Sequence, residues 1–361
     1  MKRVLIFISA IIPALIFSSC SAPAPDNTET TAQASASDMQ TQLEEMMKEQ
    51  KFNGVVRVSK NGVVVCEAAS VHNNPGGGAL SVDDQFAVGS VTKQFTAACV
   101  MLLKEENKLS VDDTVDKYYP EYKYGDKITV KNLLTMRSGI RDYVNDPDSE
   151  EEFMNRYDAD GSEEVNRKAT RDWIFSKELD FEPDSRYAYS NSNYFMLAEI
   201  VEKASGERYR DFLRERILAP LGMNDTGVAE ELHDSDRLAP RDDSSGDFSE
   251  LEIRGAAFGD GGIISTAADM DKWLTSLREN TILSAESFME MTADYSPESK
   301  HYGYGFFVNN NGAVYHGGQV DTYVTMVFTV PSEGYNLSAF SNKNEFGKLE
   351  TLASKVKALT R

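Results

Sequence analysis

The chain is poor in the residues that most often build cofactor or metal sites, and short of positive charge. Among 361 residues it has three cysteines, four histidines and two tryptophans. Three cysteines are too few for a disulfide-stapled scaffold. The four histidines include no His-x-x-x-His pair, so no metal site is expected, and His72, His233 and His301 are read as structural or surface residues. Basic residues number 37 against 58 acidic ones, a formal charge of −21, which repels nucleic acid and anionic headgroups and makes either an unsuitable partner. There is no Gly-x-Ser-x-Gly elbow, which argues against an α/β-hydrolase. The glycines at 76–78 and Gly259-Asp-Gly-Gly lack the Gly-x-Gly-x-x-Gly spacing of a dinucleotide site and read as turns. No internal repeat is visible, and no cofactor is implied.

The one long apolar run, Val4 to Phe17, is too short to span a membrane comfortably, and it follows Lys2 and Arg3. This is the pattern of an export signal over residues 1–19. Phe17-Ser18-Ser19-Cys20 resembles a bacterial lipoprotein processing site, with acylation expected on Cys20. The expected location is therefore outside the cytoplasm, attached to the bacterial cell membrane by a lipid anchor only. Residues 20–38, rich in Ala, Ser, Thr and Pro, cannot bury enough apolar surface to order themselves and read as a tether. Cys66 lies in a Val-rich strand pattern and Cys99 in an apolar helix, so two separately buried thiols are expected.

Residues 39–361 read as one catalytic unit. A helix is expected over Met39–Glu49, then a hairpin whose strands, Gly54 to Ser59 and Val63 to Glu67, flank Asn61-Gly62. From Val91 to Leu103 the helical pattern is apolar nearly all round, and Asn107 follows as a plausible cap. The middle, residues 112–255, carries mostly helix and loop signals, including an acidic stretch from Asp142 to Asp172 read as a solvated helical face and a helix from Tyr194 to Ser205. Strand patterns return at Gly303–Val308, Ala313–Tyr315, Val324–Val330 and Tyr335–Ser341, before a last helix over Lys348–Thr360. The expected fold class is α/β (α+β). Its antiparallel sheet is assembled from both ends of the chain, residues 39–111 and 256–361, with a helical part inserted.

Ser90 and Lys93 stand three apart at the start of the apolar helix. That spacing puts both on one face, and the helix N-terminus favours negative charge. A serine and a lysine so placed can act as nucleophile and base without a histidine. The pattern alone is weak, because Ser354 and Lys357 repeat it in the last helix, where both are expected to be solvated. Tyr189-Ser190-Asn191 is equally weak alone: Tyr143-Val144-Asn145 matches it from a loop.

Six segments in order give more. Phe86-Ala-Val-Gly-Ser-Val-Thr-Lys-Gln-Phe-Thr, Leu133-Leu-Thr-Met-Arg-Ser-Gly-Ile, Tyr189-Ser-Asn, Pro220-Leu-Gly-Met-Asn-Asp-Thr, Gly261-Gly-Ile-Ile-Ser-Thr and His316-Gly-Gly resemble the serine β-lactamase and penicillin-binding protein superfamily, in its class C β-lactamase and D-alanyl-D-alanine carboxypeptidase branch. The resemblance implies that Ser90 is the acylated nucleophile, Lys93 its base and Tyr189 a proton relay to the leaving group. It further implies that Asn191 holds a substrate amide, that His316, Gly317 and Gly318 form a substrate-binding strand, and that the oxyanion hole is the N–H groups of Ser90 and Gln319. Three positions depart from the pattern: His316 for the lysine common in β-lactamases, Asp184-Ser185 for Gly-Thr after Pro183, and Thr322 for a glycine before Tyr323. The implied activity is hydrolysis of D-amino-acid-terminated peptides or β-lactams through an acyl-enzyme. A carboxylesterase of the same fold and a slowly deacylating penicillin-binding sensor are the alternatives.

Overall fold

The computed structural model describes residues 36–72, 78–145, 162–233, 235–241 and 258–359. The export signal, Cys20, most of the tether, the glycines at 76–77 and the core of the acidic stretch lie outside the described residues. The first helix, α1 (Ala36–Glu49), starts three residues before the expected boundary and buries Leu43 and Met47. Strands β1 (Gly54–Lys60) and β2 (Val63–Ser70) form the expected hairpin. Asn61 and Gly62 both have positive φ, 52° and 77°, as the turn that matches strand twist requires.

After the short strand β3 (Phe86–Ala87), a 3₁₀ turn at Gly89–Val91 leads into α2 (Thr92–Glu105). Every α2 residue from Thr92 to Leu103 is buried, which accounts for the all-round apolar pattern. Asn107, at φ 57°, ends the helix as expected. The middle of the chain supplies α3 (Val130–Leu134), α4 (Glu163–Ser176) and α5 (Asn191–Ser205). The last third supplies α6 (Ala267–Glu279) and α7 (Phe346–Leu359). Helix α5 begins three residues before the expected start, because Ser190 is extended and Asn191 already opens the first turn.

The short strand β4 (Gly227–Val228) and β3 each pair with β5 (Ile263–Ser265) in a small sheet ordered β3-β5-β4. The main sheet adds β6 (Phe307–Val308), β7 (Val314–Val320), β8 (Tyr323–Val330) and β9 (Tyr335–Ser341). Among the described residues its order is β2-β1-β9-β8-β7-β6, antiparallel throughout, so β1 from the start of the chain pairs with β9 from its end. All residues of β8 and β9 are buried, which requires cover on both faces. The expected strand at Gly303–Val308 shrinks to Phe307–Val308, whereas the one expected at Ala313–Tyr315 runs on to Val320. His316, Gly317 and Gly318 therefore sit inside a strand.

Two glycines let β7 dock on the turn that carries Ser90. Gly89 has φ 53°, and a Cβ there would lie 2.7 Å from Gln319 N. A Cβ at Gly318 would lie 1.9 Å from Val88 O. Thr325 on β8 donates to that same carbonyl at 2.9 Å, fixing the turn against the sheet. Lys357, expected in solvent, is buried over the Tyr335 ring and paired with Glu333. Cys66 and Cys99 are both buried and unpaired.

Gly318→Ala should lose about 1–3 kcal/mol by urea denaturation, because the methyl has nowhere to go but into the Val88 carbonyl. Gly347→Ala, in α7 with nothing within 4 Å of the new Cβ, should leave stability unchanged or raise it.

Candidate active site

The 3₁₀ turn places Ser90 one helical turn before Lys93, and both are buried. The Lys93 ammonium is fully enclosed and directs its three hydrogens at three oxygens. These are Ser90 Oγ at 3.0 Å, Asn191 Oδ1 at 2.8 Å and the main-chain carbonyl of Asp260 at 2.6 Å. Asn191 can face it with oxygen because its amide nitrogen donates to both carboxylate oxygens of Asp142, each at 3.1 Å. Asp142 accepts only and the ammonium donates only, so the network leaves Asn191 one orientation.

Tyr189 packs its ring 4.9 Å from Lys93 Nζ. Its hydroxyl is buried, is directed at Ser90, and makes no hydrogen bond of normal geometry. Burial holds it as a phenol, far above the ordinary tyrosine range. A cavity of about 240 Å³ opens beside Tyr189, bordered by Asp142, Asp180, Phe181, Ala188 and Ser190.

Lys93 is pushed down to about 8 by loss of hydration, against the pull of Asp260 and then Asp142 toward the charged form. Burial raises the Asp260 carboxyl well above the usual carboxylate range, opposed by Lys93 and by the Tyr143 hydroxyl, which donates to Asp260 Oδ2 at 2.9 Å. His316 is lowered to about 3 by burial and by the Lys93 charge. Its Nδ1 lies 2.6 Å from Gly317 O and its Nε2 3.3 Å from the Tyr302 hydroxyl. A carbonyl only accepts, so Nδ1 carries the proton and Nε2 receives the tyrosine's hydrogen.

The fold thus brings together Ser90, Lys93, Tyr189 and Asn191, with β7 alongside. Gln319 is half-buried, and its N–H lies against the Ser90 turn. Two expectations change. His316 is wholly buried with both ring nitrogens occupied, so it stands behind the site and offers no free nitrogen to a ligand. The close approach at Gly318 is to the chain's own Val88 carbonyl.

Three residues escaped the sequence reading. Asp142, expected on a solvated acidic face, is half-buried against Asn191. Tyr143, whose sequence offers only a weak motif match in a loop, is buried. Asp260, read as part of a turn, is fully enclosed. The only available signal was an acidic residue inside a glycine run, which turns also produce. Asp184 is better explained: its φ of 66° is the conformation a glycine would supply, and Arg137 pairs with its carboxylate at 2.8 Å. Thr322 follows Asp321, which takes φ 53° in the β7–β8 turn and pairs with Arg241.

A serine–lysine pair at the start of a buried helix, faced by a tyrosine and an asparagine and edged by an antiparallel strand, is the arrangement of β-lactamase/transpeptidase-like folds. The sequence pattern of the family described as Beta-lactamase matches residues 39–360, and the chain belongs to that family. Penicillin-binding protein 4* of Bacillus subtilis is 27% identical over 85% of this chain and 72% of its own length. The octameric penicillin-binding protein homologue from Pyrococcus abyssi superposes with a TM-score of 0.72 at 27% identity, covering 90% of this chain and 78% of that one. D-amino acid amidase from Ochrobactrum anthropi SV3 shares the fold, with a TM-score of 0.71 at 23% identity over 89% of this chain and 98% of the amidase.

His316 gives a pH test. The unfolded chain binds this proton near pH 6.5 and the folded one only near 3, so stability should fall as pH drops through that window. Urea midpoints measured from pH 7.5 downward should fall less steeply in His316→Asn than in the wild type.

Proposed function

We propose that the protein is a serine hydrolase that acts through a covalent acyl-enzyme on Ser90, with D-amino-acid-terminated peptides or β-lactams as its substrates. One observation carries the reading. Of the three groups around Lys93 Nζ, the Asn191 and Asp260 oxygens can only accept, and Ser90 alone can give a proton. When Lys93 is neutral, its lone pair must therefore face the Ser90 hydroxyl.

On this reading Lys93 takes the Ser90 proton as Oγ bonds to the substrate carbonyl carbon. The oxyanion that forms is met by the N–H groups of Ser90 and Gln319, at the positive end of α2. Proton return to the leaving group runs through Tyr189, whose phenol has no competing partner. The C–N or C–O bond of the substrate then breaks, and water later releases the acyl group. Asp142 keeps the Asn191 amide oriented between Lys93 and the substrate. The names of the relatives, penicillin-binding proteins and a D-amino acid amidase, support substrates of this stereochemistry.

A second reading, a carboxylesterase on the same nucleophile, draws on His316. A neutral, enclosed imidazole supplies no charge for a substrate carboxylate. Export with a lipid anchor on Cys20 completes the proposal, placing the enzyme where cell-wall peptides are accessible.

Intact-mass spectrometry with a fluorescent penicillin, sampled over time, tests the assignment. An adduct on Ser90 that Ser90→Ala abolishes is the expected result; full hydrolysis of every substrate by Ser90→Ala would overturn it. A persistent adduct would mark the sensor behaviour, and turnover of short acyl esters with no penicillin adduct would favour the esterase. Activity should rise with pH through about 8, where Lys93 loses its proton. Tyr189→Phe should cost roughly 10²–10⁴-fold in kcat, the usual span for a lost general acid.

A further inference from the structure

The buried carboxylate of Asp260 is not among the groups that the proposed chemistry uses. It is enclosed on all sides, and no cationic side chain lies within ion-pairing distance of it among the described residues. Its two oxygens accept from Tyr143 Oη at 2.9 Å and from the Phe258 N–H at 3.1 Å. Those two bonds fix the residue so that its own carbonyl points at Lys93 Nζ, 2.6 Å away. Tyr143 is held in turn, since its N–H donates to Ser192 Oγ on α5 at 3.0 Å. A buried anion so restrained is costly unless it offsets a buried cation.

We propose that Asp260, held by Tyr143, is a positioning residue that sets the protonation of Lys93 and stabilises the ammonium formed when Lys93 takes the Ser90 proton. The inference rests on the reading of Lys93 as base. The proton moves from Ser90 Oγ to Lys93 Nζ and no further; Asp260 supplies charge and a fixed carbonyl, and it forms no bond to substrate.

The groups around Lys93 make Asp260 the dominant neighbour. From the loop before α4 come Asp142 and Tyr143; from the segment entering α5 comes Tyr189, and from α5 itself, with its ring 5.9 Å from Nζ, Tyr194; from β7 comes His316. The tyrosines and His316 are held neutral by burial. Asp142 is the other anion, but it is half-exposed, is separated from Lys93 by the Asn191 amide, and accepts from Val144 N and Asn145 Nδ2 as well. Water screens it, whereas nothing screens Asp260. The pull of Asp260 on Lys93 is correspondingly the larger of the two.

The test reads Lys93 directly and needs no substrate. In protein carrying ¹³C-labelled lysine, the Lys93 Cε resonance, identified by its loss in Lys93→Arg, is titrated by NMR. Asp260→Asn should lower the midpoint by about one pH unit, since an enclosed opposite charge that pulls on Lys93 is removed. Tyr143→Phe should move it the same way by less, because Asp260 then holds its charge less well. A midpoint that stays in place or rises in the folded variants overturns the proposal; if Asp260→Asn does not fold, Tyr143→Phe decides alone. The acid limb of the activity profile should follow the NMR midpoint, with kcat reduced about tenfold in Asp260→Asn, whereas a merely structural role would lower activity without moving the limb. Hydrolysis persisting in Ser90→Ala would defeat the nucleophile assignment while leaving the Lys93 titration shift intact, so the two failures are distinct.

Discussion

The site depends on the burial of one primary amine. An ammonium group that loses all its water needs every hydrogen matched, and the matches come from Ser90 on the adjoining 3₁₀ turn, from Asn191 98 residues on, and from Asp260 167 residues on. The inserted helical part and the sheet must both be in place before Lys93 is satisfied. Any loosening of α5 or of the turn at Gly259–Gly262 would leave the amine short of a partner.

Charge around this amine is distributed by depth. His316, behind it, is kept neutral by burial and by Lys93 itself. Tyr189, in front, is kept a phenol. Asp142 lies at the rim and works through Asn191, while Asp260 is fully enclosed and sets its main-chain carbonyl on Lys93 Nζ. One cation at moderate cost, two anions of unequal weight and the neutral rings around them suit Lys93 to the proposed role of a base that is emptied near neutral pH and refilled without exposing charge to water.

Rigidity comes from backbone contact. The turn bearing Ser90 is pressed between α2 and β7, with Gly89 and Gly318 as the two points where only a hydrogen fits beside the neighbouring backbone. Thr325 adds a hydrogen bond to the Val88 carbonyl from the next strand. A serine carried on a helix start and clamped by a sheet, as the proposed nucleophile is, is held more tightly than one on a free loop, and the half-buried Gln319 is brought to the same spot by the strand register.

Much of this was legible in the sequence where the signal is local. The spacing of Ser90 and Lys93 follows from helical geometry, the apolar belt from Val91 to Leu103 marks a buried helix, and Asn61-Gly62 marks a hairpin because the turn needs two left-handed residues. The ordered motifs extended that reading to Tyr189 and Asn191. Asp142, Tyr143 and Asp260 were not legible, because an aspartate in a turn and a tyrosine in a loop look alike whether they face water or a lysine. Their surroundings are set by segments more than 40 residues distant, from Asp142 to Asn191 and from Tyr143 to Asp260. His316 shows the same divide: the sequence determined its residue type and its strand, and only the tertiary structure decided that burial behind Tyr302, with a carbonyl on one nitrogen and a hydroxyl on the other, makes it a neutral support.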